Sequence, residues 1–288
     1  MHEVAFRRYR EFVDARVAAN NSMIALLAGS RLASHSMQLH AGSPHYLSGL
    51  FPRVRDIERF NLSPDMATQL LDDADEHLSA VAIPYALAVY EAFVIDAIAI
   101  LTRDGHNIDE SRGSRSAGRM HTTFYAGAGA MEPVEVTRLF HVLRCMRNAQ
   151  IHRGGLVTDE LRTALEALQE GERSRWEQLT MMPLADQFQG PQIQFHIGHL
   201  VASFAITKEA ARRINEVLRT HVSRATWALM AAEDYDTESS YPQNSTNWRR
   251  AFVGFCRYNY REQLALTRGE LEKAARDLQM WTIPEKWS

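Results

Sequence analysis

Cysteine and lysine are both scarce in this chain. Its 288 residues include two cysteines, Cys145 and Cys256, which lie far apart in segments of helical spacing. This excludes a disulfide framework and a zinc site built from a set of cysteines. Lysine occurs only at Lys208, Lys273 and Lys286, so arginine supplies most of the positive charge. The scarcity of cysteine favours a reducing, cytoplasmic location.

A large net charge and a secretory signal are also missing. The net charge is −3 at pH 7, so any surface that attracts nucleic acid must be local. The N-terminal residues contain no apolar signal core. The longest apolar stretch, 81–101, includes Pro84, Glu91 and Asp96, which favours a buried helix of a soluble protein over a membrane span. We expect a cytoplasmic protein with no membrane partner.

Apolar spacing predicts a mainly all-α protein. Residues 4–32 have the pattern of one or two amphipathic helices, and Ser63-Pro64 is a helix start signal. Residues 84–101 are apolar almost all round, which predicts the fully buried central helix of a bundle. A further helix runs from 134 to 153 and ends at Gly154-Gly155. Polar and apolar residues alternate over 192–197, which allows a short β-hairpin.

The segment 103–131 breaks the helical pattern and is rich in glycine, serine and arginine. We predict a mobile loop there. It is either a solvated connector or a basic flap that contacts RNA phosphates through Arg112, Arg115 and Arg119.

The candidate chemical site lies near the end of the helix 134–153. Arg144, Asn148 and His152 are spaced by four residues, so they share one stripe of that helix, and Arg147 flanks it. A cation, an amide and a titratable ring at one helix end suit a phosphodiester. The same residues also fit a simple polar helix face on which His152 caps the C-terminus.

An arginine, a polar follower and a histidine within a few residues are the signature that the HEPN superfamily carries, and Arg147, Asn148 and His152 match it. The apolar segment 86–96, with Glu91 embedded, resembles the central HEPN helix, and 193–197 followed by a Thr-Lys-Glu helix resembles its downstream part. The resemblance covers about residues 64–230. It implies a HEPN-like helical domain over 1–232 with extra N-terminal helices, followed by a C-terminal helical extension over 233–288.

The resemblance further implies a homodimer that cuts RNA without metal or other cofactor, with the two motifs facing each other. In that chemistry the RNA 2′-OH attacks its own phosphate and leaves a 2′,3′-cyclic end. His152 would take the hydroxyl proton, because a histidine ring ordinarily titrates near neutrality, and Arg147 would stabilise the phosphate charge. Arg144 and Arg153 would bind the RNA backbone. Many such proteins are toxins or defence effectors, which implies an antitoxin or regulatory protein as a further partner.

Glu91 lies among apolar residues, and a buried carboxylate needs a partner. It would either orient Arg147 and His152 or form a structural ion pair with another arginine.

Two further patterns favour structural explanations. The spacing of His196 and His199 does not suit a metal site, since in a strand these side chains point to opposite faces. The aromatic and arginine residues of 248–261 form an apolar face with charged edges, or alternatively a surface on which single-stranded RNA could stack.

Three functions remain open at this point. The sequence favours a HEPN ribonuclease. A catalytically inactive HEPN module that binds RNA, nucleotide or a partner protein is the alternative, and a helical scaffold without a ligand is the third.

Overall fold

The computed structural model describes residues 3–109, 116–260 and 264–282, and within them the protein is mainly α-helical, which confirms the predicted fold class. A 3-10 turn, Ile57–Arg59, lies between the second and third helices. The thirteen described α-helices are α1 (Arg7–Gln38), α2 (Leu47–Leu50), α3 (Pro64–Asp72), α4 (Ala74–Arg103), α5 (Met120–Ala128), α6 (Val134–Arg153), α7 (Asp159–Glu166), α8 (Glu170–Thr180), α9 (Leu184–Gln187), α10 (Ile197–His221), α11 (Arg224–Glu238), α12 (Thr246–Asn259) and α13 (Arg268–Asp277).

Short polar side chains begin many of these helices, as the sequence predicts for Ser63. The helix start predicted at Thr207 is wrong, because Thr207 is buried inside α10, which begins at Ile197. The Ser63 hydroxyl accepts a hydrogen bond from the Met66 backbone N–H, and Pro64 occupies the first helical position of α3. Serine or threonine caps also start four later helices in the same way, at Thr158, Ser223, Ser245 and Thr267. Each cap satisfies a backbone donor that the first turn of a helix leaves without a partner.

The chain forms two units, and each is assembled from separate stretches. The first contains residues 1–15, 88–137 and 207–288, and the second contains 16–87 and 138–206. The predicted C-terminal extension, 233–288, therefore belongs to a unit that also includes much earlier parts of the chain.

The N-terminal segment is held in the core of the first unit. The Val4 backbone N–H donates to Asn215 Oδ1 at 2.9 Å, and Asn215 Nδ2 donates to the Val4 carbonyl at 2.8 Å. Phe6 is fully buried against the rings of Phe93 and Trp227. One amide thus satisfies both backbone groups of a buried residue, and an unpaired buried group would cost about 1–3 kcal/mol.

The second unit combines a small apolar cluster with a buried polar network. Ala82 and Ala86 pack with Leu200 and Phe204. Elsewhere in this unit, Gln187 Oε1 accepts a hydrogen bond from Trp176 Nε1 at 2.8 Å and lies 2.9 Å from His199 Nε2. These side chains are all fully buried, so the network fixes where α8, α9 and α10 meet.

Other structural details also differ from the sequence predictions. The stretch 84–101 is not fully buried, because a stripe of apolar residues along α4 is exposed: Tyr85, Ala88, Ala92, Ile95 and Ala99. The predicted loop 103–131 contains the helix α5. In place of a hairpin, the only β pairing among the described residues is one antiparallel bridge between Leu156 and Gln192.

By length and composition alone, α4 could cross a membrane. Half of its most apolar window is buried inside the protein, and core helices of soluble proteins meet the same criterion.

Candidate active site on helix α6

Helix α6 places the predicted stripe as the spacing requires. Arg144, Asn148 and His152 all lie within its helical span, so they follow one another on one face. At 1.5 Å per residue the stripe is about 12 Å long. Arg147 lies beside it and is half-buried, whereas His152 and Arg153 in the last turn are exposed.

The end of α6 is fixed by its two glycines and by a neighbouring segment. Gly154 and Gly155 have φ values of 60° and 83°, a conformation that favours glycine. The Gly155 N–H donates to the Ala149 carbonyl at 3.1 Å, and the Gly155 carbonyl accepts from the Ile193 N–H at 2.9 Å. The backbone that follows His152 is therefore anchored.

Three side chains at this end are available to a ligand. Asn148, His152 and Arg153 make no side-chain hydrogen bond or ion pair with any part of the chain that the structure describes. An amide, an imidazole and a guanidinium are thus presented together, and their donors match the oxygens of a phosphodiester.

Arg144 differs, because its guanidinium is hydrogen-bonded to other side chains of the protein. Nη2 donates to Glu160 Oε1 at 2.8 Å and lies 3.0 Å from His141 Nδ1. Glu160 is on α7, just after the turn that follows α6. The guanidinium is largely covered, whereas about half of the Glu160 side chain is exposed. Arg144 is therefore neutralised in this structure.

The remaining predicted site residues lie on other segments of the chain. Glu91 is half-buried on α4 in the first unit, whereas the motif residues Arg147 and His152 belong to the second. Its role in orienting them stays a prediction. Arg119 is exposed just before α5, and Arg112 and Arg115 lie outside the described residues.

One cluster beside the stripe was missed by the sequence analysis. His141 and Cys145, one turn apart on α6, and Glu160 on α7 bring their donor atoms within 4.8 Å of one another. Burial raises the pKa of the Cys145 thiol to about 12, and burial together with Arg144 lowers the pKa of His141. The His-x3-Cys spacing was a visible signal for two members, since it places both on one helix face. The third comes from another helix and had no such signal.

The other two patterns contain residues that pack within the protein. His196 and His199 do not lie on opposite faces of a strand as predicted, because His199 is in α10 and the centroids of the two rings are 4.2 Å apart. His199 uses both ring nitrogens: Nδ1 accepts from the His196 backbone N–H at 3.3 Å, and Nε2 lies against Gln187. Burial lowers the pKa of His199 to about 3. Trp248 and Phe252 are fully buried against Tyr235, so they offer no stacking surface to RNA.

Comparisons with known proteins identify no relative of this chain. No family model, no curated protein and no solved structure matches this chain.

Proposed function

We propose that this protein is a metal-independent endoribonuclease of HEPN type, which cuts RNA in the cytoplasm as a homodimer. The observation that carries the proposal is the unengaged group Asn148, His152 and Arg153 at the exposed end of α6, next to Arg147. A role as a toxin or defence effector, restrained by an antitoxin or regulatory protein, is part of the same proposal.

The chemistry requires a base and a cation near one phosphate. His152 accepts the proton of the 2′-OH, whose oxygen then attacks the adjacent phosphorus, and the 5′-oxygen leaves and takes a proton from water to become a 5′-OH. Arg147 donates to the phosphate oxygens as negative charge accumulates on them. The attacking oxygen is already tethered to the phosphate, so positioning supplies much of the rate. Asn148 and Arg153 hold the RNA backbone in place.

A homodimer fits the same end of the helix. Ile151 and Leu156 flank His152 in sequence, and about half of each side chain is exposed. A two-fold axis at this point would cover both residues and bring two copies of the motif together.

The alternative is an inactive HEPN module that binds RNA, nucleotide or a partner protein. Two observations favour it. The partial burial of Arg147 limits the access of a phosphate to its guanidinium, and the pairing of Arg144 with Glu160 neutralises a second positive charge.

The test is cleavage of mixed RNA by purified protein in EDTA, followed by analysis of the product ends. We expect 2′,3′-cyclic phosphate termini and no cleavage of DNA, which lacks the attacking hydroxyl. His152→Ala should lower the rate by roughly 100-fold or more, as is typical of a lost general base. Arg147→Ala should lower it by about 100-fold or more.

His35→Ala is the matched control, because His35 is also an exposed histidine in the last turn of a helix of the second unit, α1. Its rate should equal that of the wild type. If His152→Ala cuts as fast as the wild type, the assigned base is wrong. If the wild type never cuts RNA but binds it, the inactive-module alternative replaces the enzyme.

Glu91→Gln separates its two roles. Slower cleavage at an unchanged melting temperature would assign Glu91 to positioning the motif. A lower melting temperature with unchanged cleavage would make it a structural carboxylate.

A further inference from the structure

The cluster beside the proposed active site contains three different metal-binding groups. Cys145 Sγ lies 3.8 Å from His141 Nε2 and 3.9 Å from Nδ1, and the Glu160 carboxylate completes a set within 4.8 Å. His141 and Cys145 are held by the backbone of one helix, and Glu160 reaches them from α7. All three belong to the second unit.

These distances are close to those of a tetrahedral zinc site. With Zn–N near 2.0 Å and Zn–S near 2.3 Å, donors in such a site lie roughly 3.5 Å apart. The pair His141 and Cys145 is within a few tenths of an ångström of that separation. Glu160 is half-exposed, so its carboxylate can close the remaining gap by a change of rotamer.

The chemical types of the three ligands determine which metal ion the site prefers. A thiolate and an imidazole with one carboxylate suit Zn²⁺, whereas Mg²⁺ and Ca²⁺ prefer oxygen ligands alone. Three protein ligands leave a fourth position for water or another molecule.

Two members of the cluster, His141 and Glu160, already bind one cation, the Arg144 guanidinium. The Arg144 guanidinium lies 2.8 Å from Glu160 and 3.0 Å from His141, so these two side chains direct lone pairs to one point. A divalent ion at that point would replace the guanidinium as their partner. Arg144 would then be released from Glu160.

We infer that His141, Cys145 and Glu160 form a zinc-binding site that is separate from the RNA-cleaving residues, and that zinc and the Arg144 side chain compete for it. Cys145 binds as a thiolate and gives its proton to water. Catalysis does not require this metal.

The experiment is cobalt and zinc binding to the full-length, metal-stripped protein in the absence of RNA. Co²⁺ should bind one per chain and produce the charge-transfer absorption of a cobalt–thiolate bond in the near ultraviolet, and Zn²⁺ should displace it. Cys145→Ser should abolish this absorption, and it and His141→Ala should each weaken zinc binding by about 100-fold or more. Cys256→Ser is the matched control, since Cys256 is the other buried cysteine of the chain.

Glu160 is exposed and Arg144 is partly exposed, so replacing either residue should leave the fold intact. Zinc binding by these variants therefore tests the site independently of folding. Glu160→Gln should weaken zinc binding, whereas Glu166→Gln on the same helix should not. Arg144→Leu should tighten zinc binding, because the competitor is gone. A wild type without the cobalt–thiolate band, or a Cys145→Ser protein that binds zinc as tightly as the wild type, would overturn the inference. Neither result depends on whether the protein cuts RNA.

Discussion

The Arg144 guanidinium donates to the Glu160 carboxylate across 2.8 Å, between helices α6 and α7. A residue that we expect to bind RNA is thereby paired within its own chain. Since the pair is partly exposed, it contributes little to stability, on the order of 1 kcal/mol or less. Its main effect is to withhold one positive charge from the end of α6.

Glu160→Gln should therefore strengthen RNA binding. The freed Arg144 can contact one additional phosphate, so affinity should rise several-fold at low salt. The slope of log affinity against log salt should become steeper by about 0.7 for single-stranded RNA. Filter binding of the His152→Ala protein in EDTA measures both quantities, since we expect this variant not to cut the RNA. Glu166→Gln changes the net charge equally, and an equal gain in that variant would show that Arg144 is not the cause.

Ile151→Glu should convert the proposed dimer to a monomer. Ile151 is about half-exposed one residue before His152, and a charge buried at a two-fold interface is opposed by its own symmetry copy. Light scattering at micromolar concentration measures the mass. Val201→Glu is a suitable control, because Val201 is a similarly exposed apolar residue of the same unit, on α10. A wild type that is monomeric under these conditions would contradict the dimer.

Acid should destabilise the protein through His121. Its Nε2 lies 2.6 Å from the Tyr90 hydroxyl, and burial lowers the pKa of His121 to about 4. The unfolded state takes up the proton near pH 6.5 while the folded state does not, so stability is complete above pH 6.5 and falls as the pH decreases towards 4. Between pH 7 and pH 5 this histidine should remove about 2 kcal/mol of the free energy of unfolding.

His121→Gln keeps a hydrogen-bonding group for Tyr90 but cannot titrate. Urea unfolding at pH 7 and pH 5 measures the effect. Between these pH values the variant should lose about 2 kcal/mol less of its free energy of unfolding than the wild type does. An unchanged difference between the two pH values would assign the acid sensitivity to other groups, of which His199, with its pKa of about 3, is the next to replace.

Gly198→Ala should destabilise the second unit. A Cβ at Gly198 would lie 2.0 Å from the Thr180 carbonyl oxygen, and a backbone atom cannot be moved as easily as a side chain. The expected loss in the free energy of unfolding is about 3 kcal/mol. At Gly254, inside α12, a Cβ meets nothing within 4 Å, so Gly254→Ala should gain roughly 0.5–1 kcal/mol. Thermal unfolding of the two variants compares them, and a harmless Gly198→Ala would mean that α8 and α10 are not in close contact at this point.

The sequence was sufficient for features that depend on local spacing. The Ser63-Pro64 start, the glycine stop after Arg153 and the stripe on α6 follow from neighbours along the chain. Contacts between distant segments were not predictable in this way. Nothing near Arg144 indicates that Glu160 will neutralise it, and nothing near Tyr90 indicates His121.

The exposed side of α4 was missed for a related reason. Alanine counts as apolar in a hydropathy pattern, but its small side chain loses little when it faces solvent. Ala88, Ala92 and Ala99 could therefore lie on the surface without changing the pattern that predicted burial.

The pairing of Val4 with Asn215 has a consequence for synthesis of the chain. The residues that enclose the N-terminal segment are made last, since the first unit takes up residues from 207 onwards. During translation Phe6 must remain without Trp227 while more than two hundred residues are added, so the part of its ring that Trp227 covers lacks its partner throughout that interval. Closing so long a loop also slows folding, because its entropy is lost before the contacts form. The yield of native protein should therefore depend on the rate at which the ribosome completes the chain.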